Sequence, residues 1–238
     1  MKHKMMLLAL AAVSAALFAL PAMASAAEWD IDAETANPIT FKTTSGEAKL
    51  TSNGFGAFAP VVCASSSGEG TYTNQTTATS ELTFTGCVQG SNKCHTSGFP
   101  EGTITTTTLT SHNIMIDNTA QVAGGTPGLL LTPNSGHFAT FTCGGSTYVV
   151  NGSTAAGTGA GIIGDITTPK CGGAFSKTAT VKFETTSSGV QKYMQEETGV
   201  LNSTKYDLVT KSPLGSFTSG EDATGTITFN QGTKMTCP

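Results

Sequence analysis

Short apolar runs that alternate residue by residue with polar partners recur along the chain, and they constrain the fold more than any other feature. Leu82 and Phe84 alternate with Thr83 and Thr85, Val181 and Phe183 with Lys182 and Glu184, and Ile227 and Phe229 with Thr226 and Thr228. A period of two sends one set of side chains into a core and the other into water, as in a half-buried strand. Further runs bounded by Gly, Pro, Asn or Ser read as strands at 39–43, 47–52, 55–63, 70–74, 103–110, 114–117, 128–132, 138–143, 147–151, 161–166 and 206–210. Threonine occurs 42 times. Being β-branched, it suits the wet face of a pleated sheet. Only Val190–Thr198 has a helix-friendly composition, and Gly199 closes it, so at most one or two helical turns are expected there. The pattern predicts an all-β fold, an antiparallel β-sandwich or barrel-like domain. Gly152–Gly161 reads as a flexible connection or a long hairpin loop, and a single domain over 27–238 is the reading adopted.

The first 26 residues have the build of a secretory signal peptide. A basic start (Lys2, Lys4) precedes an apolar run from Met5 to Leu20, then Pro21 and the small-x-small sites Ala22-Met23-Ala24 and Ala24-Ser25-Ala26. The expectation is export, with no membrane span after cleavage and a secreted, periplasmic or cell-surface location. Removing Lys2 and Lys4 leaves ten lysines against sixteen acids, a net charge of −6, and the chain has no arginine. Without a basic face or guanidinium forks, nucleic-acid binding is not expected.

Cys63, Cys87, Cys94, Cys143, Cys171 and Cys237 all follow the signal segment. An even count in an exported chain reads as three disulfides, and no Cys-x-x-Cys pair is present to suggest zinc or thiol redox chemistry. Spacing leaves the connectivity open. Cys87–Cys94 is favoured because the polar turn Val88–Lys93 between them can close as a clipped loop, followed by Cys63–Cys143 and Cys171–Cys237.

Candidates for chemistry are sparse. His95, His112 and His137 lie near Glu101 and Asp117 but show no metal-binding spacing, so neither a metal nor a cofactor is expected. Ser146 after Gly144-Gly145 is not a nucleophile elbow and reads as a strand end and turn. Paired carboxylates for glycoside hydrolysis need two acids about 5 to 10 Å apart across a cleft. Glu81, Glu184, Glu196 and Glu197 are available, with few aromatic platforms. Asp30, Asp32 and Glu34 offer alternate oxygens without the glycine and distal glutamate of a calcium loop. The threonine row 103–110 invites an ice-binding reading, but no neighbouring row repeats it, so it is read as sheet surface.

Gly70-Thr-Tyr-Thr, Leu82-Thr-Phe-Thr-Gly-Cys87, Cys94-His-Thr-Ser-Gly, Gly102-Thr-Ile-Thr-Thr and Phe138-Ala-Thr-Phe-Thr-Cys143 resemble a group of exported bacterial proteins with a Thr/Gly-rich core and cysteines at strand ends. The resemblance covers roughly residues 60 to 165. It implies a secreted β-rich domain, with no catalytic residue to carry over. A looser likeness to fimbrial subunits fails at the C-terminus, where Thr236-Cys237-Pro238 replaces a strand with a penultimate aromatic. The expectation is a non-enzymatic domain with a structural or ligand-binding role, its partner a small ligand or a surface protein. A carbohydrate-active hydrolase is the alternative.

Overall fold

Eighteen strands and no helix make up the described residues of the computed structural model, which are 30–32, 38–53, 58–116, 126–153, 158–170, 176–197 and 200–236. The signal segment, Cys171, Cys237, Asp117 and Glu34 lie outside them. In chain order the strands are β1 (Asp30–Asp32), β2 (Thr40–Ser52), β3 (Val61–Cys63), β4 (Ser65–Tyr72), β5 (Thr77–Thr85) and β6 (Val88–Gln89). Then come β7 (Asn92–His95), β8 (Thr103–Thr105), β9 (Leu109–Ile116), β10 (Thr126–Pro133), β11 (Ala139–Cys143) and β12 (Ser146–Gly152). The last are β13 (Thr158–Ala160), β14 (Ile162–Thr168), β15 (Ser176–Phe183), β16 (Met194–Glu197), β17 (Val200–Ser212) and β18 (Gly215–Thr236).

The antiparallel ladders close twice. One circuit runs β2–β4–β5–β9–β10–β14–β15–β18 and back to β2. The other runs β2–β3–β6–β7–β11–β12–β17–β18 and back to β2. Two long strands are shared and change partners along their length. β2 pairs with β4 through Thr40–Ser45 and with β3 through Ala48–Leu50. β18 leaves β17 at Ser219 and meets β15 only from Ala223. This forked pairing makes the fold barrel-like without being a simple barrel. Closure also removes most bare strand edges.

The alternation read from sequence faces the expected way. Val181, Ile227 and Phe229 are buried, and Leu82, Phe84 and Phe183 pack against the same core. Three strands depart from simple alternation. β9, β10 and β14 bury both faces, because Leu129, Leu131 and Ile162 point into the main core while Ile114, Ile116, Leu130 and Ile163 form a second cluster with Tyr193 and Tyr206. β16 and the first half of β17 run beside this second cluster.

Several expectations need correction. The segment 190–198 forms no helical turn where described: Gln191 makes a bridge to Thr185, and Met194–Glu197 is a strand. Tyr193 supplies the reason, since its ring is buried in the second cluster, where an extended chain can reach it. The threonine row is not continuous sheet surface. Thr106–Thr108 lie between β8 and β9, where their hydroxyls bind Leu82 N–H, the His137 carbonyl and Glu81. Strands flanking Gly152–Gly161 join the same network, and Gly152 lies so close to Ala160 that a β-carbon there would fall 2.3 Å from its Cα.

Among the described residues the disulfides are Cys63–Cys87 and Cys94–Cys143, not Cys87–Cys94 and Cys63–Cys143. The ladders explain the exchange. Register places Cys63 beside Cys87 across β3 and β6, Cys87 beside Cys94 across the β6–β7 hairpin, and Cys94 opposite Cys143 across β7 and β11. The four cysteines thus form a buried row over four neighbouring strands. Joining the middle two would leave Cys63 and Cys143 about 14 Å apart at three strand spacings, beyond disulfide reach. Pairing the outer neighbours uses all four.

Candidate functional site

The interior of the two circuits is not filled. Two adjoining cavities of about 80 and 70 Å³ lie within it, sharing Leu82, Phe84, Leu131 and Glu221 as a common wall. The first is otherwise almost wholly apolar, with Leu50, Val61, Leu109, Phe138 and Phe141 around it. The second adds hydroxyls from Thr43, Ser45, Ser66, Ser80 and Ser111. Ser45 and Ser66 hydrogen bond to each other at 2.7 Å, whereas the buried Thr43 Oγ1 has no partner. The two volumes are separate, so a benzene-sized guest, which needs an apolar void of about 150 Å³, fits only where side chains of the shared wall move aside.

Glu221 stands where the two meet. Strand geometry places it there: Phe217, Ser219, Glu221 and Ala223 alternate inward along β18, and the stretch around Glu221 is where β18 has left β17 but not yet reached β15. No hydrogen bond or ion pair joins its carboxyl to any described residue. Glu221 is half-buried and borders both cavities. Burial, and secondarily the Asp222 charge, raise its pKa from 4.5 to about 7. Lys49 also borders the first cavity, but its ladder partner is Asp222, which faces away from Glu221 and accepts hydrogen bonds of 2.7 Å from the Thr185 N–H and hydroxyl. A carboxyl in apolar surroundings without a donor is costly, so the protein maintains it against its own stability.

Two buried tyrosine hydroxyls are satisfied and structural. Tyr72 donates to Asn113 Oδ1 at 3.2 Å, and Asn113 in turn donates to the Gln75 carbonyl. Tyr148 donates to Gln89 Oε1 at 2.9 Å, and Gln89 donates to the Ala59 carbonyl. These pairs anchor loops to the ends of the sheet.

Glu81 and Glu184 do not share a cleft. Glu81 is exposed and accepts from the Thr108 hydroxyl. Glu196 and Glu197 fall in β16, in register with Leu201 and Val200 of β17. Glu184 lies on the outer face, where Lys182 at 2.7 Å, Lys192 at 2.8 Å and the Tyr193 hydroxyl surround it. Those three donors lower its pKa to about 2. Burial and then the Glu184 charge raise the pKa of Asp165. With its oxygens occupied, Glu184 acts as a clasp that pins the 184–193 segment against the barrel. His95, His112 and His137 stay apart from one another in sequence and strand, and no group of three metal-binding side chains occurs among the described residues. Cys143 and Ser146 close a two-residue hairpin through Gly144 and Gly145, both at positive φ, as the turn reading of Ser146 expects.

Glu221 escapes sequence reading because Ser219-Gly220-Glu221-Asp222 looks like a polar turn. The only cue is its place in the inward alternation running from Phe217 to Ala223. No protein-family model matches the chain, nor does any curated protein or solved structure.

Proposed function

We propose that this is an exported, non-enzymatic binding protein that holds a small, largely apolar molecule in its interior and works outside the cytoplasm. The observation that carries the reading is the pair of adjoining apolar cavities with an unpartnered carboxyl on their shared wall. A domain stabilised only by packing gains nothing from such a void, since unfilled volume and a half-buried carboxyl without a partner both oppose folding. Binding sites tolerate both, being apolar hollows with few polar groups that fix orientation. Export is supported by the signal-like segment, by two disulfides and by the resemblance to exported Thr/Gly-rich proteins. No helix among the described residues is long and apolar enough to cross a membrane.

Native mass spectrometry of the non-reduced protein, purified from its exporting host, tests the reading. The wild type should carry a small molecule or take up a benzene-sized probe. Ala139→Leu, which adds three carbons to the first cavity wall, should carry or take up less. A wild type that does neither would sink the binding reading.

A further inference from the structure

The chemistry of the shared wall says more about the guest, on the premise that the interior binds one. Among the described residues, Glu221 and Lys49 are the only charged ones lining the two cavities. Lys49 makes no ion pair with Glu221, and its ladder partner Asp222 turns outward to Thr185. The Glu221 carboxyl therefore offers acceptor oxygens in an apolar setting, where a charge-assisted partner gains far more than it would in water. One chamber beside it is apolar. The other holds hydroxyls, including the unpartnered Thr43 Oγ1.

We infer that the interior selects small molecules with an apolar body and one basic nitrogen: the ammonium pairs with the Glu221 carboxylate, and the body fills the chamber lined by Leu50, Val61, Leu109, Phe138 and Phe141. The alternative guests answer the site less well. A hydrocarbon leaves the carboxyl bare. An anionic guest would place a second negative charge beside it. An ammonium has three donors, enough for both carboxylate oxygens.

The arrangement also makes loading depend on pH. Only the carboxylate pairs with an ammonium, and the free Glu221 loses its proton near pH 7. Among the described residues, the charged groups beside it are Asp222 on its own strand and Lys49 on β2; the other described residues bordering the cavities present apolar or hydroxyl side chains. Affinity for an amine that stays protonated should fall about tenfold for each pH unit below 7, giving roughly a 100-fold loss between pH 8 and pH 5.

Calorimetric titration of the intact, non-reduced protein with benzylamine and with toluene tests this. Benzylamine should bind at pH 8 at least tenfold more tightly than toluene and weaken about 100-fold at pH 5, while toluene changes little. Glu221→Gln should bring benzylamine down to the toluene level. Toluene binding as tightly as benzylamine at pH 8, or pH-independent benzylamine binding, would overturn the amine inference and leave the cavity reading standing. Failure of both probes to bind the wild type would overturn the two together. The wild-type pH series decides the matter even where the variant does not fold.

Discussion

Replacing Glu221 by Gln removes the ionisation while keeping the shape of the side chain, and its effect on stability follows from the structure. In the unfolded chain the carboxyl titrates near 4.5, and in the folded protein near 7. Below pH 4.5 both states hold the proton and the residue makes no pH-dependent difference. Between 4.5 and 7 the unfolded chain releases it while the folded protein keeps it, so stability falls as pH rises, and above 7 the loss levels off. At about 1.4 kcal/mol per unit the full loss is about 3 kcal/mol. Asp165, also raised, bends the curve in the same direction, but it does so equally in wild type and variant. The difference between the two curves therefore isolates Glu221. Urea unfolding followed by far-UV circular dichroism from pH 4 to 9 should show Glu221→Gln gaining on the wild type by about 3 kcal/mol across that range, with an unchanged urea dependence. A constant difference would mean that the carboxyl is hydrated or paired in solution, and the argument for a poised, empty acceptor would fall with it.

Three other substitutions probe the frame around the site. Glu184→Gln should cost roughly 1–2 kcal/mol at pH 7 and little near pH 2, because a pKa lowered to about 2 contributes stability above 4.5 that is lost as the pH falls; thermal melts at the two pH values check it. Gly70→Ala should cost about 1–3 kcal/mol in urea, since a β-carbon there would lie 2.2 Å from the Phe41 ring and 2.6 Å from the Thr79 carbonyl. Replacing Cys94 and Cys143 together by Ala should cost about 4 kcal/mol, as expected for releasing a bond that spans 49 residues, and non-reducing urea curves would show it.

Sequence pattern exposed the strands because their physics is local. Each of the pairs Leu82/Phe84, Val181/Phe183 and Ile227/Phe229 announces its inner face by alternation alone. The departures arise where the burial partner is distant. Leu129-Leu130-Leu131 and Ile114-Met115-Ile116 are apolar on both sides because a second layer covers them, and that layer is built from residues about 80 positions further on. Tyr193 belongs to the same long-range packing, which overrides the helical leaning of its neighbours. The disulfides illustrate the limit well. Cys87 and Cys94 are cross-strand neighbours, as loop length suggests, yet the ladder offers each a neighbour on its other side.

The disulfides and the site are linked through stability. The bonds join β3, β6, β7 and β11, four consecutive strands of the circuit whose interior meets the first cavity through Val61, Cys63, Ala139 and Phe141. Closing loops of 24 and 49 residues restricts the unfolded chain by an amount comparable with, or larger than, the roughly 3 kcal/mol that an ionised Glu221 takes away. A protein held by packing alone would be pressed to fill its cavities and to replace Glu221 with an apolar residue. One stapled across the same wall can keep both. The reduced protein should therefore be least stable at pH 8, where the bare carboxylate already weighs against the fold, and a bound amine should restore part of the lost stability by mass action. Equal tolerance of reduction at pH 5 and pH 8, measured as the fraction folded in fixed urea, would separate the staples from the site and refute the link.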